Sequence, residues 1–324
     1  MKLFYYQAKS SVRNFGDELN PWLWSRLLPE LNECDKSIFI GIGTLLNEAT
    51  ANLVDGAESV SCFSTGAGYG RNLRFQQPSN WKIYCVRGPL SAQQLNLPMT
   101  AAVTDGAALL KRYFAPVSEA ERLYNFSYMP HFRHRLPPLF ETACQRAGIH
   151  YIDPTAEVEK VIGDILQTKV LISEAMHGAI VADTLRVPWI PVRTSPRILP
   201  FKWRDWCASV QLPYRYQVIS GAKSLSFTDF KYPIRPYLQK QSSIVALLDG
   251  FRMNDFSNAL GQSLSEEITE RRLDKLSAQL VSITRKTPFL SCDRTLETLV
   301  IRLEDCLEKL KKDMRLRDPN TEHR

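Results

Sequence analysis

The seven cysteines of the 324-residue sequence are odd in number and include no C-x-x-C pair. This pattern supports neither a disulfide framework nor a zinc site, and reduced thiols in a cytoplasmic protein are the natural expectation. No apolar run approaches the roughly 20 residues that a membrane span requires. The N-terminal residues turn polar too soon for a signal peptide, so we predict a cytoplasmic protein.

Signatures of nucleotide binding are missing as well. Glycines close two predicted strands, in residues 37–43 and 60–70, but neither segment is a G-x-G-x-x-G fingerprint or a P-loop. Either these glycines let the backbone approach a ligand closely, or they only form tight turns. We also see no cluster of metal ligands, and we expect no bound cofactor.

The charge balance favours an anionic partner. The formal net charge is +7, from 41 lysine and arginine residues against 34 aspartate and glutamate residues. Such an excess suits nucleic acid, an anionic membrane surface or anionic substrates. Nucleic acid is the weakest of the three, because the basic residues are spread along the chain and no recognised binding motif accompanies them.

Residues 169–193 predict a strand, a helix and a second strand. Residues 169–172 and 189–192 are mostly apolar, as is typical of buried strands, and the turn Ser173-Glu-Ala-Met-His-Gly178 precedes the helix. A parallel βαβ unit places this turn at the carboxyl edge of the sheet, where ligands bind in open α/β folds. The helix start offers free N–H groups to an anion, and His177 can transfer a proton near neutral pH. The alternative is that His177 only caps the helix or packs in the core.

Strands and helices alternate on both sides of a polar, proline-containing segment at residues 115–121. We therefore predict an α/β protein with two Rossmann-like domains that face one another across a cleft, residues 1–114 and 122–222. Residues 232–324 are predicted as a helical extension. Its last two helices carry leucine-rich faces that either pack on the core or, through the basic end at residues 309–317, contact an anionic membrane surface.

Further motifs follow the predicted strands of the first half. They are Asn14-Phe-Gly-Asp17 before a helix that we expect to begin at Pro21, Arg87-Gly-Pro-Leu-Ser91, and Val103-Thr-Asp105-Gly106. Together with the histidine turn and the Val-Pro-x-Ile strand at residues 187–190, they resemble the polysaccharide pyruvyl transferase family. The resemblance covers residues 2–193, and it is to the branch that acts on exopolysaccharide precursors.

The resemblance implies a GT-B-like arrangement and a specific reaction. The enolpyruvyl unit of phosphoenolpyruvate, a co-substrate, would pass to two hydroxyl groups of one sugar and form a cyclic ketal. The partners would be phosphoenolpyruvate and a lipid-linked oligosaccharide acceptor, with the first domain on the acceptor side and the second on the donor side. His177 matches the catalytic histidine of the family. Many members carry an arginine two residues before it, used on the anionic donor, where this chain has Ala175.

Other cations must then hold a donor with about three negative charges, and arginine is best shaped for phosphate or carboxylate. The predicted donor-binding residues are Arg133, His131, Arg87, Ser173, Gly178, Arg193 and Arg197. The predicted acceptor-binding residues are Asn14, Asp17 and Asp105. For Asp105, capping the helix that follows is an equal alternative. Glu174 is predicted to orient His177.

Two other functions remain open from the sequence. One is a GT-B glycosyltransferase that uses a nucleotide sugar, although the chain offers no clear nucleotide-recognition feature. The other is a non-catalytic member that binds glycans or scaffolds a polysaccharide assembly complex, for which Ala175 is the main support.

Overall fold

The computed structural model describes residues 1–7, 12–31, 36–68, 77–134, 137–195, 198–220 and 270–317. Within them, the strands form one four-stranded and one five-stranded sheet, and every pairing of named strands is parallel. The predicted α/β class is therefore confirmed. The division into two domains across a cleft, with the bounds given above, stays a prediction.

The first sheet has the strand order β1-β2-β3-β4. Its strands are β1 (Lys2–Phe4), β2 (Ile38–Ile40), β3 (Val60–Thr65) and β4 (Trp81–Val86). The helices that follow them are α1 (Phe15–Leu27), α2 (Glu48–Leu53), α3 (Pro89–Gln94) and a 3-10 helix, Gly106–Arg112. All six residues of β3 are buried, as expected of a parallel strand covered on both faces.

The second sheet has the order β6-β5-β7-β8-β9. Its strands are β5 (Tyr124–Met129), β6 (His150–Tyr151), β7 (Thr168–Ser173), β8 (Trp189–Arg193) and β9 (Gln217–Val218). Its helices are α4 (Pro137–Ala147), α5 (Val158–Leu166), α6 (Met176–Thr184) and α7 (Pro200–Ser209). The predicted βαβ unit around the histidine turn is confirmed as β7, α6 and β8.

Helix α1 corrects one prediction, because it begins at Phe15 and contains Pro21 instead of starting there. A proline inside a helix leaves the carbonyl four residues earlier without its usual donor. Here the side chain of Asn20 supplies that donor, since its Nδ2 lies 3.2 Å from the carbonyl oxygen of Asp17. This hydrogen bond lets the helix continue through Pro21, so that Gly16 and Asp17 lie in the first helical turn.

Two C-terminal helices pack on the sheets. Residues 270–284, which we call α8, bury Leu276 and Leu280 against the second sheet. Helix α9 (Asp293–Arg317) buries Val300 and Leu303 and packs against β3, β4 and the 3-10 helix. The apolar faces thus follow the core-packing alternative, while contact of the basic end with a membrane stays a prediction.

Two further predictions from the sequence concern residues 221–269. The segment 224–229, read as an edge strand or loop, and the helix expected near residues 244–251 lie outside the described residues. Within the part of the chain that is described, no helix combines the length and apolar composition needed to cross a bilayer.

Candidate functional site

The second sheet reverses its strand order between β5 and β7. The chain leaves β5 toward β6 on one side, and β7 adds on the other side, so these neighbours form a topological switch point. In open α/β sheets, ligands bind outside the carboxyl ends of the strands at such a point. The loop after β5 carries His131 and Arg133, and the turn after β7 carries Glu174 and His177. The fold thus brings four predicted site residues to one edge.

Close packing fixes the turn between β7 and α6. The hydroxyl of Ser173 donates a hydrogen bond to the carbonyl oxygen of Ala175 at 2.7 Å. A Cβ atom on Gly178 would lie 2.6 Å from Met129 Sδ and 2.7 Å from Ser173 Oγ, so only glycine fits. Ser173 and Gly178 therefore shape the turn that carries His177, and their predicted contact with the donor stays a prediction.

The imidazole of His177 reaches the first half of the chain. Its Nε2 lies 3.6 Å from Oδ2 of Asp105, which follows the first sheet. That distance is too long for a direct hydrogen bond, and both atoms are buried without a hydrogen-bond partner among the described residues. The side chain of His177 is only 14% exposed. A buried carboxylate oxygen thus faces the ring nitrogen across a small gap.

Asp105 serves as a helix cap at the same time. Its Oδ1 accepts a hydrogen bond from the backbone N–H of Ala107 at 3.0 Å, which begins the 3-10 helix. The capping alternative is therefore confirmed, and the second oxygen stays available to His177. Whether Asp105 also contacts the acceptor stays a prediction.

Helix α1 brings a second carboxylate. The backbone N–H of Phe15 donates to the carbonyl oxygen of Pro154 in the loop after β6, which ties the start of α1 to the second sheet. The amide of Asn14 donates to Asp17 Oδ2 at 2.6 Å. Burial raises the pKa of Asp17, and the Asn14 hydrogen bond and the charges of His177 and Lys202 oppose the shift.

Gly16 lies against the other side of the imidazole. A Cβ atom at this position would come within 2.0 Å of His177 Nδ1 and 2.7 Å of its Cγ. The glycine of the Asn-x-Gly-Asp motif is therefore required by close approach of the histidine ring. This contact places the Asn-x-Gly-Asp motif beside the histidine turn, although the two lie far apart in the sequence.

The structure gives the carboxylate of Glu174 partners other than the His177 ring, and its orienting role stays a prediction. Its buried carboxylate accepts hydrogen bonds from the backbone N–H of His131 at 3.0 Å and of Thr194 at 2.7 Å, and also from the Thr194 hydroxyl. These bonds join the loops after β5, β7 and β8. Within the described residues Asp105, and not Glu174, has a carboxylate oxygen beside the His177 ring.

Arg87, one of the predicted donor cations, has buried partners in the structure. Its fully buried guanidinium pairs with Asp205 of α7 at 3.1 Å and also donates to the Gly43 carbonyl and the Thr44 hydroxyl. A Cβ atom on Gly88 would lie 2.2 Å from the backbone oxygen of Asp205, so this glycine lets α7 approach. The Arg-Gly-Pro motif thus joins the two halves of the chain, and donor contact by Arg87 stays a prediction.

The remaining predicted cations lie nearer the surface. Arg133 is exposed, and its guanidinium donates to the Tyr6 hydroxyl at 3.2 Å. Arg193 donates to the Ser195 carbonyl at 2.8 Å and lies over the ring of Tyr216. Arg197 falls outside the described residues.

Sequence reasoning missed Lys202, a partly buried residue in the first turn of α7. Burial and the charges of Arg87 and Arg133 lower its pKa to about 8, and Asp17 acts in the opposite direction. The signal in the sequence was the helix start Leu199-Pro200 shortly after β8, since a loop leaving β8 begins at the same edge as the histidine turn. We call Asn14, Asp17, Asp105, His177 and Lys202 the inter-sheet site.

Comparison with known proteins gives two matches. A family model described as polysaccharide pyruvyl transferase matches residues 62–196, which run from β3 to just beyond β8. The succinoglycan biosynthesis protein ExoV of Rhizobium meliloti (strain 1021) is 36% identical over 219 residues. This match covers 66% of the present chain and 66% of that relative, just under two thirds of its length.

Proposed function

The chain belongs to the polysaccharide pyruvyl transferase family, and on that basis we propose that it transfers the pyruvyl unit of phosphoenolpyruvate to two hydroxyl groups of one sugar. The products are a cyclic pyruvate ketal and free phosphate. Because the relative in Rhizobium meliloti is a succinoglycan biosynthesis protein, we take the acceptor to be an exopolysaccharide precursor.

The observation that carries the proposal is the meeting of His177 with the buried carboxylate of Asp105 and the partly buried carboxylate of Asp17. Asp105 follows the first sheet, Asp17 lies on α1, and His177 lies in the first turn of α6, which follows β7 of the second sheet. A group that gives and takes protons therefore lies between acidic groups from the other half of the chain. Such a site suits a reaction in which carbon gains a proton while hydroxyl groups lose theirs.

The proposed reaction balances without oxidation. The methylene carbon of phosphoenolpyruvate gains a proton, the neighbouring carbon becomes oxocarbenium-like, and one sugar hydroxyl adds to it with loss of its proton. The bond to phosphate then breaks, the second hydroxyl adds to the same carbon, and its proton leaves with the phosphate. His177 is proposed to take the proton of the attacking hydroxyl and to supply the one that carbon receives.

The other residues are proposed to assist in distinct ways. Asp105 faces the imidazole and offers a negative charge whenever the ring carries its extra proton. Asp17 and Asn14 face the acceptor and bind its hydroxyl groups. Glu174 keeps the loops after β5 and β8 in place, and so it fixes the backbone around the donor.

We expect Asp105→Asn to lower kcat for phosphate release about 10²-fold, since acid–base assistance is worth 10²–10⁴-fold. Asparagine still caps the 3-10 helix through its amide oxygen, so the unfolding temperature should change little. Steady-state kinetics and a thermal melt measure the two effects. An unchanged kcat would reduce Asp105 to a helix cap.

We expect Gly16→Ala to lower kcat about 10²-fold, because the added methyl group must displace the His177 ring. Gly163→Ala is the matched control: it also lies in a helix, and its Cβ would meet nothing within 4 Å. The control should keep full activity and gain slightly in stability. Equal activity of both variants would show that the ring position does not matter.

The test of the function is incubation with phosphoenolpyruvate and an undecaprenyl-linked or synthetic oligosaccharide. We expect phosphate release together with a mass increase of the glycan. Thermal shifts with phosphoenolpyruvate and with nucleoside diphosphates separate the alternatives. A shift with nucleoside diphosphates alone would favour a glycosyltransferase, and glycan binding without any turnover would favour a non-catalytic role.

A further inference from the structure

The histidine turn of the second sheet, Ser173 to Gly178, contains no lysine or arginine. Ala175 lies at the N-terminal boundary of α6, with an extended backbone and no side chain that could reach an anion. A donor with about three negative charges still needs cations, because charge-assisted hydrogen bonds provide most of the affinity of so small a ligand.

We propose that Lys202 supplies the missing cation and binds the phosphate group of the donor. The proposal rests on the proposed function, since it assigns one residue to the donor of that reaction. The observation that supports the proposal is the position of Lys202 in the fold, on a helix that joins the second half of the chain to the first.

Helix α7 holds Lys202 firmly against the first half. Asp205, three residues further on and thus on the same helical face, pairs with Arg87 at 3.1 Å and accepts from the Ser91 N–H at 2.9 Å. Phe201 lies so close to the turn after β3 that a Cβ atom on Gly68 would come within 2.7 Å of its ring. The first turn of α7 is therefore seated beside the loops that follow β3 and β4.

The charges around Lys202 fit an anion. Arg87 and Arg133 both act on its ammonium group, and Asp17 is the one carboxylate with a resolved influence on it. No hydrogen bond or ion pair of the Lys202 ammonium is found among the described residues, in contrast to the guanidinium of Arg87. The charges of Arg87 and Arg133 act against the charge of Lys202, although Arg87 is paired with Asp205, and a bound phosphate would offset that repulsion.

The shapes of the lysine and arginine side chains indicate which group of the donor each one binds. An ammonium group is a compact point charge that suits phosphate, whereas a guanidinium is a planar fork that suits a carboxylate. Lys202 is therefore assigned to the phosphate, with the exposed Arg133 available to the carboxylate.

Calorimetric titration of the full chain with phosphoenolpyruvate tests the assignment, with inorganic phosphate as a second probe. Lys202→Met should weaken both at least tenfold, while Lys202→Arg should recover most of the affinity. Lys160→Met is the matched control, because Lys160 is exposed on α5 and pairs only with Asp164 in the described structure. Its affinities should equal those of the wild type.

A pH series gives a readout that a structural role would not produce. The groups facing Lys202 are Asp17 on α1, Arg87 after β4 and Arg133 after β5, and the pKa of Lys202 is about 8. Lysine loses its charge as pH rises through its pKa, so wild-type donor affinity should fall above about pH 8. In Lys202→Arg the charge persists, and the fall should disappear.

The outcomes separate the two proposals. If the wild type binds phosphoenolpyruvate and Lys202→Met binds it equally well, the assignment of Lys202 is overturned and the proposed function stands. If the wild type does not bind phosphoenolpyruvate, the proposed function fails first. A Lys202→Met variant that loses donor affinity at an unchanged unfolding temperature and an unchanged acceptor KM supports the assignment.

Discussion

His177→Ala is expected to lower the rate of pyruvyl transfer about 10³-fold or more and to leave the fold intact. The imidazole is proposed to take the proton of the attacking hydroxyl and to supply the one that carbon receives, and general acid–base catalysis is worth 10²–10⁴-fold. Position 177 lies in the first turn of α6, where alanine is well tolerated. Phosphate release gives the rate, and circular dichroism with a thermal melt reports the fold.

His150→Ala is the matched control for this variant. His150 also lies 3.6 Å from a carboxylate oxygen, that of Asp164, but it belongs to the edge strand β6 and stacks on Tyr124. Its loss should cost some stability and leave kcat unchanged. A His177→Ala protein with a rate near that of the wild type would remove His177 from the mechanism.

Arg87→Met is expected to lower the free energy of unfolding by about 3–5 kcal/mol, because it leaves the buried carboxylate of Asp205 without its ion-pair partner. Urea denaturation measures the loss. Adding Asp205→Asn should recover part of it, since the double variant no longer buries an unpaired charge. The exposed Arg204 on the same helix provides the control, because Arg204→Met should change stability by less than about 0.5 kcal/mol.

This experiment also tests the role that the sequence predicted for Arg87. A donor-binding arginine would lose affinity for phosphoenolpyruvate when replaced, with little change in stability. If Arg87 instead serves as a buried ion-pair partner between the two halves of the chain, its replacement would mainly lower the stability of the protein. Arg87→Met with full stability and weak donor binding would therefore return Arg87 to the donor site.

The local features of the site could be predicted from the sequence. The apolar segments around the histidine turn specify β7 and β8, and Pro188 follows the end of α6, so the position of His177 at a helix start followed from short-range rules. Even so, Pro21 misplaced the start of α1. The hydrogen bond from Asn20 that tolerates it was not visible as a pattern.

Contacts between the two sheets could not be predicted in the same way. Sequence proximity suggested Glu174 as the partner of His177, but the structure brings Asp105 there from 72 residues earlier in the chain. Arg87 and Asp205 are 118 residues apart, and their pairing depends on how α7 packs beside α3. Such contacts follow from tertiary packing, to which neither periodicity nor turn chemistry is sensitive.

Transfer in deuterium oxide tests the central claim, protonation of phosphoenolpyruvate and its attachment to a sugar, most directly. The wild-type protein is incubated with phosphoenolpyruvate and an oligosaccharide acceptor, and the product is analysed by mass spectrometry and NMR. We predict one phosphate released for each pyruvyl group gained, and a single deuterium in the methyl group of the ketal. An acceptor that gains no pyruvyl group, or a ketal methyl group without deuterium, would contradict the account.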